Sequence, residues 1–154
     1  MNQIASLLPA SNIRLDLAAG SKTGLFEAVG ALFEANRGLA RNTVVGSLGA
    51  REKLGSTGLG QGVAIPHGRI KGLAEAQGAF LRLADPIAFD APDGKPVTQV
   101  FVLLVPEHAT EKHLQLLSEL AQMFSERSFR ERLTAAADAS AVHALFHDWQ
   151  PGAP

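Results

Sequence analysis

One apolar run limits the folds that are open to this chain. Residues 97–105 contain Val-Phe-Val-Leu-Leu-Val, a nearly continuous apolar stretch, and Pro106 follows it. Such a run is typical of a central strand that is covered on both faces. Helical patterns occur on both sides of it along the chain. The sequence therefore predicts a three-layer α/β domain, in which a mixed sheet has helices on both faces.

Shorter patterns place further elements around this strand. Alternation of apolar and polar residues at 13–17 predicts a half-buried strand, and further strands are predicted at 62–65, at 78–84 and near Ile87. Helices are predicted from a cap at Ser21 to Asn36, from a cap at Asn42 to Gly55, from Thr110 through Phe124, and at 129–133 and 140–149. No strand order follows from these patterns. We expect one domain over residues 1–154, with an ordered core at about 4–149.

Charge and cysteine content exclude several classes of function. The chain has 14 Lys plus Arg against 15 Asp plus Glu, a net charge of -1, so it has no broad basic field for a nucleic-acid backbone. It has no cysteine, which removes disulfide frameworks, cysteine-rich zinc sites and thiol catalysis. No apolar segment approaches the roughly 20 residues that span a bilayer. The expectation is a cytoplasmic protein without direct membrane insertion.

The segment GSTGLGQGVAIPHGR, residues 55–69, is rich in glycine but matches neither standard nucleotide loop. Val63 stands where the dinucleotide fingerprint needs its third glycine, and Gln61 stands where a Walker A loop needs lysine. The glycines still permit close backbone approach, and the Ser-Thr pair supplies hydroxyls, so the segment can bind an oxyanion. A plain helix-to-strand turn explains the glycines equally well.

Two histidines are candidates for chemistry. Pro66 cannot donate a ladder hydrogen bond, so a strand is predicted to end at His67, where Gly68 would leave the ring accessible to a ligand. His113 lies in the first turn of the helix that Thr110 is predicted to cap, and there the helix dipole disfavours imidazolium. A neutral ring at this position can donate to a phosphoryl oxygen. For each histidine, a structural or solvated side chain remains an open alternative.

The other three histidines carry weaker signals. His108 follows the apolar strand, and nothing in the sequence positions it. His143 and His147 are four residues apart on the last predicted helix and have the spacing to share a metal ion. Since no further ligand pattern flanks them, a polar helix flank is the preferred interpretation and no metal site is predicted.

The run REKLGSTGLGQGVAIPHGRIKGL, residues 51–73, resembles the phosphorylation-site segment of enzyme IIA domains of the phosphoenolpyruvate-dependent phosphotransferase system. Within the fructose and mannitol superfamily, it is most similar to the nitrogen-regulatory type. The resemblance continues through residues 89–124, loosely covers 4–149, and implies the same mixed sheet between helices. It implies that His67 is the phosphoryl acceptor and His113 the second active-site histidine. It also implies phosphoryl-stabilising roles for Arg51, Ser56, Thr57 and Gly58.

The resemblance implies a phosphohistidine carrier without a cofactor. Its donor would be an HPr-like protein, the nitrogen-type NPr, and its phosphorylation state would regulate partners such as potassium-transport or sensor-kinase components. The family's use of Nε2 implies that a backbone carbonyl holds Nδ1–H of His67. Arg51 is expected to act at longer range or on a partner's carboxylate. Two alternatives stay open: a sugar-transport IIA that passes phosphate to a separate IIB, and a non-enzymatic anion-binding domain.

Overall fold

The computed structural model of the chain describes residues 2–108 and 110–150. Its strands are β1 Ile13–Leu17, β2 Gly58–Gly60, β3 Val63–Ala64, β4 His67–Ile70, β5 Gln77–Ile87 and β6 Val97–Pro106. Its helices are α1 Gln3–Ser6, α2 Lys22–Arg37, α3 Arg41–Lys53, α4 Thr110–Ser125, α5 Arg127–Ala135 and α6 Ala139–Asp148, and a short 3-10 turn covers Ala10–Asn12. The predicted elements are therefore present with shifted ends, except that the separate strand predicted near Ile87 is the end of β5.

The strand predicted from the apolar run, β6, lies inside the sheet. The strand order is β1-β5-β6-β3-β2, and β4 also pairs with β6. β5 is antiparallel to β6, whereas β3 and β4 are parallel to it, and β1 is parallel to β5. The sheet is therefore mixed, as predicted.

The side chains of β6 alternate between two apolar clusters. Phe101 and Leu103 belong to the cluster with α1, α4, α5 and α6, whereas Val100 and Val102 belong to the cluster with α2 and α3. Since successive side chains of a strand point to opposite faces, helices cover both faces of the sheet. The predicted three-layer α/β architecture is confirmed. Across residues 2–108 and 110–150, no helix has the length and apolar character needed to cross a membrane.

Helix caps were predicted with mixed success. Ser21 caps α2 as predicted by accepting a hydrogen bond from the Gly24 amide, and Gly38 ends it in the left-handed region at φ 70°. The predicted cap at Asn42 is wrong, because α3 begins at Arg41, whose amide donates to the Glu34 carboxylate at 3.1 Å. The Glu34 side chain of α2 thus caps the N-terminus of α3 in place of a local residue. Thr110 is likewise the first residue of α4 rather than its cap, and residue 109 is not among those described.

The strand expected to stop at His67 instead continues through it. β3 and β4 keep one register along β6, with Val63 opposite Gln99 and His67 opposite Leu103. Pro66 interrupts the ladder because it has no N–H. Its carbonyl still accepts a hydrogen bond from the Leu103 amide at 3.0 Å, so the chain stays alongside β6. His67 therefore begins a strand, β4, beside the central strand instead of ending one.

Gly68 was expected to leave His67 accessible, but it is buried beneath α3. A Cβ atom at this position would lie 2.2 Å from Ser47 Oγ of that helix. The missing side chain therefore lets α3 pack directly on β4. Close packing, not flexibility, explains this glycine, and it brings the end of α3 to the histidine.

Part of the glycine-rich segment is a β-hairpin. β2 and β3 pair antiparallel around Gln61 and Gly62, which have φ of 59° and 79°. Two positive φ values in succession are what a tight two-residue hairpin turn requires, and Gly62 adopts its value without strain. Asp93 fixes the turn by accepting the Gln61 amide at 2.9 Å.

Candidate functional site

The orientation of the His67 ring is set by its own strand. Its Nδ1 lies 2.9 Å from the carbonyl oxygen of Ile65. A carbonyl only accepts hydrogen bonds, so Nδ1 carries the proton and Nε2 keeps its lone pair. This is the arrangement that the resemblance implied. The nitrogen with nucleophilic character is therefore Nε2.

Arg51, in the last turn of α3, contacts that nitrogen directly. Its Nε donates to Nε2 of His67 at 3.1 Å, and its Nη1 donates to the Gly55 carbonyl at 2.8 Å. Its role toward a phosphoryl group stays a prediction, but action at longer range or on a partner's carboxylate does not describe this state, in which Arg51 contacts the ring directly. The reason is the close packing of α3 on β4, which brings the end of the helix to the ring. In this state a guanidinium N–H covers the lone pair that would attack a substrate.

His113 is the second histidine of the site and lies on α4, far from His67 in sequence. α4 places its ring 5.2 Å from that of His67, centroid to centroid, with the two planes at 66°. The residue is only 9% exposed, and its Nε2 has no hydrogen-bond partner among the described residues. Buried polar atoms are nearly always paired, so this nitrogen has an unused capacity for one hydrogen bond.

The surroundings keep both rings neutral. Burial is the main cause that lowers the pKa of His67; Arg51 lowers it further, while the bond to the Ile65 carbonyl and the charge of Glu52 oppose the change. Burial also lowers the pKa of His113, assisted by the charges of His67, Arg69 and Arg51. At neutral pH the unprotonated rings dominate. Nucleophilic attack by His67 needs this state.

The loop hydroxyls are engaged within the protein. The Ser56 hydroxyl donates to the Phe89 carbonyl and accepts the Gly58 amide at 3.0 Å. The Thr57 hydroxyl and amide both donate to the Glu52 carboxylate, at 2.6 and 3.1 Å. In this state neither hydroxyl is directed to His67, and the role expected of them toward a phosphoryl group stays a prediction. Sequence reasoning missed Glu52, whose one signal was its place beside Arg51.

A cleft of about 320 Å³ lies in front of His67 and Arg51. Loop residues 56–59 form one wall, and α4 forms the other through Leu117, Ser118 and Ala121. Among residues 2–108 and 110–150, the exposed large apolar side chains are Leu54, Leu59 and Leu114, at 85%, 43% and 63%. Leu59 lines the cleft, and the other two neighbour site residues in sequence. A larger groove of about 820 Å³ beside α1 and α4 contains neither histidine.

His113 adjoins His67 but is not among the residues that line this cleft, and neither are the remaining three histidines. His108 is exposed and contacts Glu107 at 3.2 Å. His143 and His147 lie along α6 with ring centroids 6.5 Å apart. In the part of the chain that the structure describes, no group of three or more histidine or acidic side chains is placed to hold a metal ion.

Comparison with known proteins shows which family the chain belongs to. A family model described as "Phosphoenolpyruvate-dependent sugar phosphotransferase system, EIIA 2" matches residues 6–149. The nitrogen regulatory protein of Pseudomonas aeruginosa is 40% identical over 159 residues, which cover 99% of each chain. The crystal structure of nitrogen regulatory protein IIA-Ntr from Neisseria meningitidis is 54% identical and superposes with a TM-score of 0.89, covering 94% of this chain and 99% of that one.

A more distant structure shares the fold alone. The mannitol enzyme IIA of Escherichia coli, in complex with phosphorylated enzyme IIB, is 20% identical. It superposes with a TM-score of 0.76, covering 93% of this chain and all of that one. The mixed sheet and its helices are therefore retained at low sequence identity.

Proposed function

Since the chain belongs to the EIIA 2 family of the phosphoenolpyruvate-dependent sugar phosphotransferase system, and so is a phosphocarrier of that system, we propose that His67 Nε2 carries the phosphoryl group. The observation that supports this choice is the bond of Nδ1 to the Ile65 carbonyl, which leaves Nε2 as the nucleophilic atom. Family membership implies phosphoryl exchange with other phosphocarrier proteins. The residue and the atom are our proposal.

In the proposed step, Nε2 attacks the phosphorus of a phosphohistidine on the donor. A phosphorus–nitrogen bond forms on His67 as the one on the donor breaks, and the electron pair of the broken bond stays on the donor ring. When the donor ring carries a proton on its other nitrogen, its positive charge passes to His67. The Ile65 carbonyl stabilises that charge through Nδ1–H. The transition state is loose, so catalysis consists mainly of positioning.

Arg51 and His113 are the proposed ligands of the phosphoryl oxygens. Once the lone pair of Nε2 is used for bonding, the Arg51 Nε–H that now binds it is released to a phosphoryl oxygen. Nε2 of neutral His113, which has no partner among the described residues, donates to a second oxygen. Ser56 and Gly58, in the wall of the cleft, complete the set after exchanging their present bonds. Thr57 has both donors on Glu52, so its proposed role is to hold the loop.

A regulatory role is supported by the relatives, which are named nitrogen regulatory proteins. We propose an HPr-like donor of the nitrogen type, NPr, and partners such as potassium-transport or sensor-kinase components. Exposed leucines near the cleft offer an apolar surface to a partner protein. A phosphoryl group adds close to two negative charges beside that surface, so docking of the partner depends on phosphorylation. The whole chain has a net charge of only -1, so the change is large for this surface.

The test is phosphorylation in a reconstituted system. Incubated with phosphoenolpyruvate, enzyme I and an HPr-type carrier, the wild type should gain one acid-labile phosphate by mass spectrometry. His67→Ala should gain none, whereas His143→Ala, the matched control, should label like the wild type. Full labelling of His67→Ala would refute the site. A wild type that accepts no phosphate from HPr-type donors, NPr included, would refute the carrier assignment.

The regulatory part is tested by partner affinity. Phosphorylated and unphosphorylated wild type are titrated against potassium-transport and sensor-kinase components from the same organism. We expect at least one to bind with affinities that differ by tenfold or more between the two forms. Rapid transfer to a sugar-specific IIB, without any such difference in affinity, would favour the transport alternative.

A further inference from the structure

A second network beside the histidines is centred on Glu52. Its carboxylate is only 7% exposed and receives three donors: Lys22 Nζ at 2.9 Å, the Thr57 amide at 3.1 Å and the Thr57 hydroxyl at 2.6 Å. Both carboxylate oxygens are therefore satisfied. A carboxylate at this depth is retained only with such partners, since an unpaired one would be strongly destabilising.

The same network reaches the core through Phe89. Lys22 Nζ also donates to the Phe89 carbonyl at 3.3 Å and lies 4.5 Å from the centre of its ring. The Ser56 hydroxyl donates to that same carbonyl, and Phe89 is 1% exposed. Two consecutive loop residues are thus hydrogen-bonded to buried groups: Ser56 to the Phe89 carbonyl and Thr57 to the Glu52 carboxylate. These residues form one wall of the cleft in front of His67.

Glu52 and Arg51 are neighbours in the last turn of α3. Arg51 contacts the nucleophilic nitrogen of His67, and Glu52 holds the loop opposite it. The end of one helix thereby sets the distance between the nucleophile and the wall of the cleft. Small displacements matter in such a site, because misplacing a reacting group by about 1 Å can lower a rate by roughly 10²-fold.

We infer that Glu52 is a positioning residue for phosphoryl transfer, acting through Thr57 to hold the loop wall against His67. This inference rests on the proposed function of His67 as the phosphoryl acceptor. Glu52 is not a catalytic residue, since its carboxylate faces Thr57 and Lys22 and not the reacting nitrogen. The inference adds that the rate of transfer depends on Glu52, which does not follow from His67 being the phosphoryl acceptor.

The decisive variants are Glu52→Gln and Thr57→Val. Glutamine has the shape of glutamate but no charge: its amide nitrogen can donate to the Thr57 hydroxyl, but that hydroxyl loses its charged acceptor. Lys22 and the Thr57 amide are left with a neutral oxygen, so every bond of the network is weakened. Transfer from a phosphorylated HPr-type carrier should show kcat lowered about tenfold or more in Glu52→Gln, with KM within about twofold. Thr57→Val, which keeps the amide bond, should lose roughly threefold to tenfold. The double variant should be no slower than Glu52→Gln, because both changes break one linkage.

A matched control and a second readout separate positioning from general damage. Glu126→Gln removes another partly buried carboxylate, which accepts Trp149 Nε1 at 3.1 Å away from the cleft, and should keep the wild-type kcat. The charge of Glu52 raises the pKa of His67 against the lowering by burial and by Arg51, and His113 faces the same ring. Glu52→Gln should therefore shift the pH profile of transfer to lower pH, whereas Thr57→Val should not.

Amide hydrogen exchange tests the linkage without any phosphoryl transfer. In the free protein, the Thr57 amide should exchange about tenfold faster or more in Glu52→Gln than in Glu126→Gln. Unchanged exchange, or a wild-type kcat in both Glu52→Gln and Thr57→Val, would overturn the inference. If the wild type accepts no phosphate, the proposed function fails and the exchange result still decides whether Glu52 holds the loop.

Discussion

The chain has two pairs of neighbouring histidines, and they differ in almost every physical respect. His143 and His147 are four residues apart on α6, with exposed or half-exposed rings. His67 and His113 come from a strand and a distant helix, and they meet at 5.2 Å in a largely buried site. In sequence, only the first pair has the spacing that could place two histidines on one metal ion, although no metal site was predicted there. The second pair has what chemistry needs: removal from water, a carbonyl that fixes a tautomer, and a cation against the nucleophile.

This difference has an energetic side. Burying a polar nitrogen without a partner costs about 1–3 kcal/mol. Nε2 of His113 is such a nitrogen, because it has no hydrogen-bond partner among the described residues. In the proposed mechanism, an oxygen of the phosphoryl group on His67 supplies the missing hydrogen bond. The rings of α6 gain nothing comparable from a ligand, because water already satisfies them. Variants that remove one partner at a time therefore test whether the two pairs are functionally distinct.

Arg51→Ala should have the largest effect of these tests. It removes the one guanidinium in contact with Nε2 of His67, and we expect transfer to slow about 10²-fold, the typical loss when one donor to a developing oxyanion is removed. Single-turnover transfer from a phosphorylated HPr-type carrier measures this. Arg127→Ala is the control, since Arg127 forms an exposed ion pair with Glu131. Wild-type transfer by Arg51→Ala would show that the guanidinium contact belongs only to the resting state.

His113→Ala should have a smaller and more selective effect. The variant should still gain acid-labile phosphate, because the nucleophile is intact, but should pass the group on about tenfold more slowly. Onward transfer to a second phosphocarrier, followed in real time, separates the two steps. His108→Ala removes an exposed histidine from the turn before α4 and should transfer normally. If His113→Ala passes the group on at the wild-type rate, the pairing of the two rings has no functional meaning.

The contrast also shows what the sequence can and cannot predict. The central strand and the caps of α2 were predictable because they depend on neighbours in sequence, and the motif around His67 was recognisable in its own right. The contact of Arg51 with His67 was not, since it depends on Gly68 letting α3 rest on β4. The importance of Glu52 was not predicted because it depends on a contact with Lys22, which lies on another helix. Long-range packing, which leaves no periodic pattern, decided these features.

The pH dependence of phosphate acceptance should reflect the burial of the first pair. Burial lowers the pKa of His67 below its ordinary value of 6.5, so acceptance should rise with pH and be half-maximal below 6.5. The same shift predicts that the unfolded chain binds more protons in this range, so the contribution of His67 to stability is complete above its unfolded pKa and is lost as pH falls. NMR titration of the ring measures its pKa directly. A midpoint at or above 6.5 would contradict the environment described for His67.

The smallest effect should come from the pair on α6. His143→Ala with His147→Ala removes two rings whose one polar side-chain contact with the described part of the chain is that of His147 with Asp148 on the surface. Surface substitutions of this kind change the free energy of unfolding by about 0.5 kcal/mol or less each. Phosphoryl acceptance and onward transfer should both stay within about twofold of the wild type, and urea titration should show an almost unchanged midpoint. A clear loss of transfer in a stable double variant would mean that α6 takes part in partner docking. In that case exposure in the free protein would be a poor guide to which histidine pair acts.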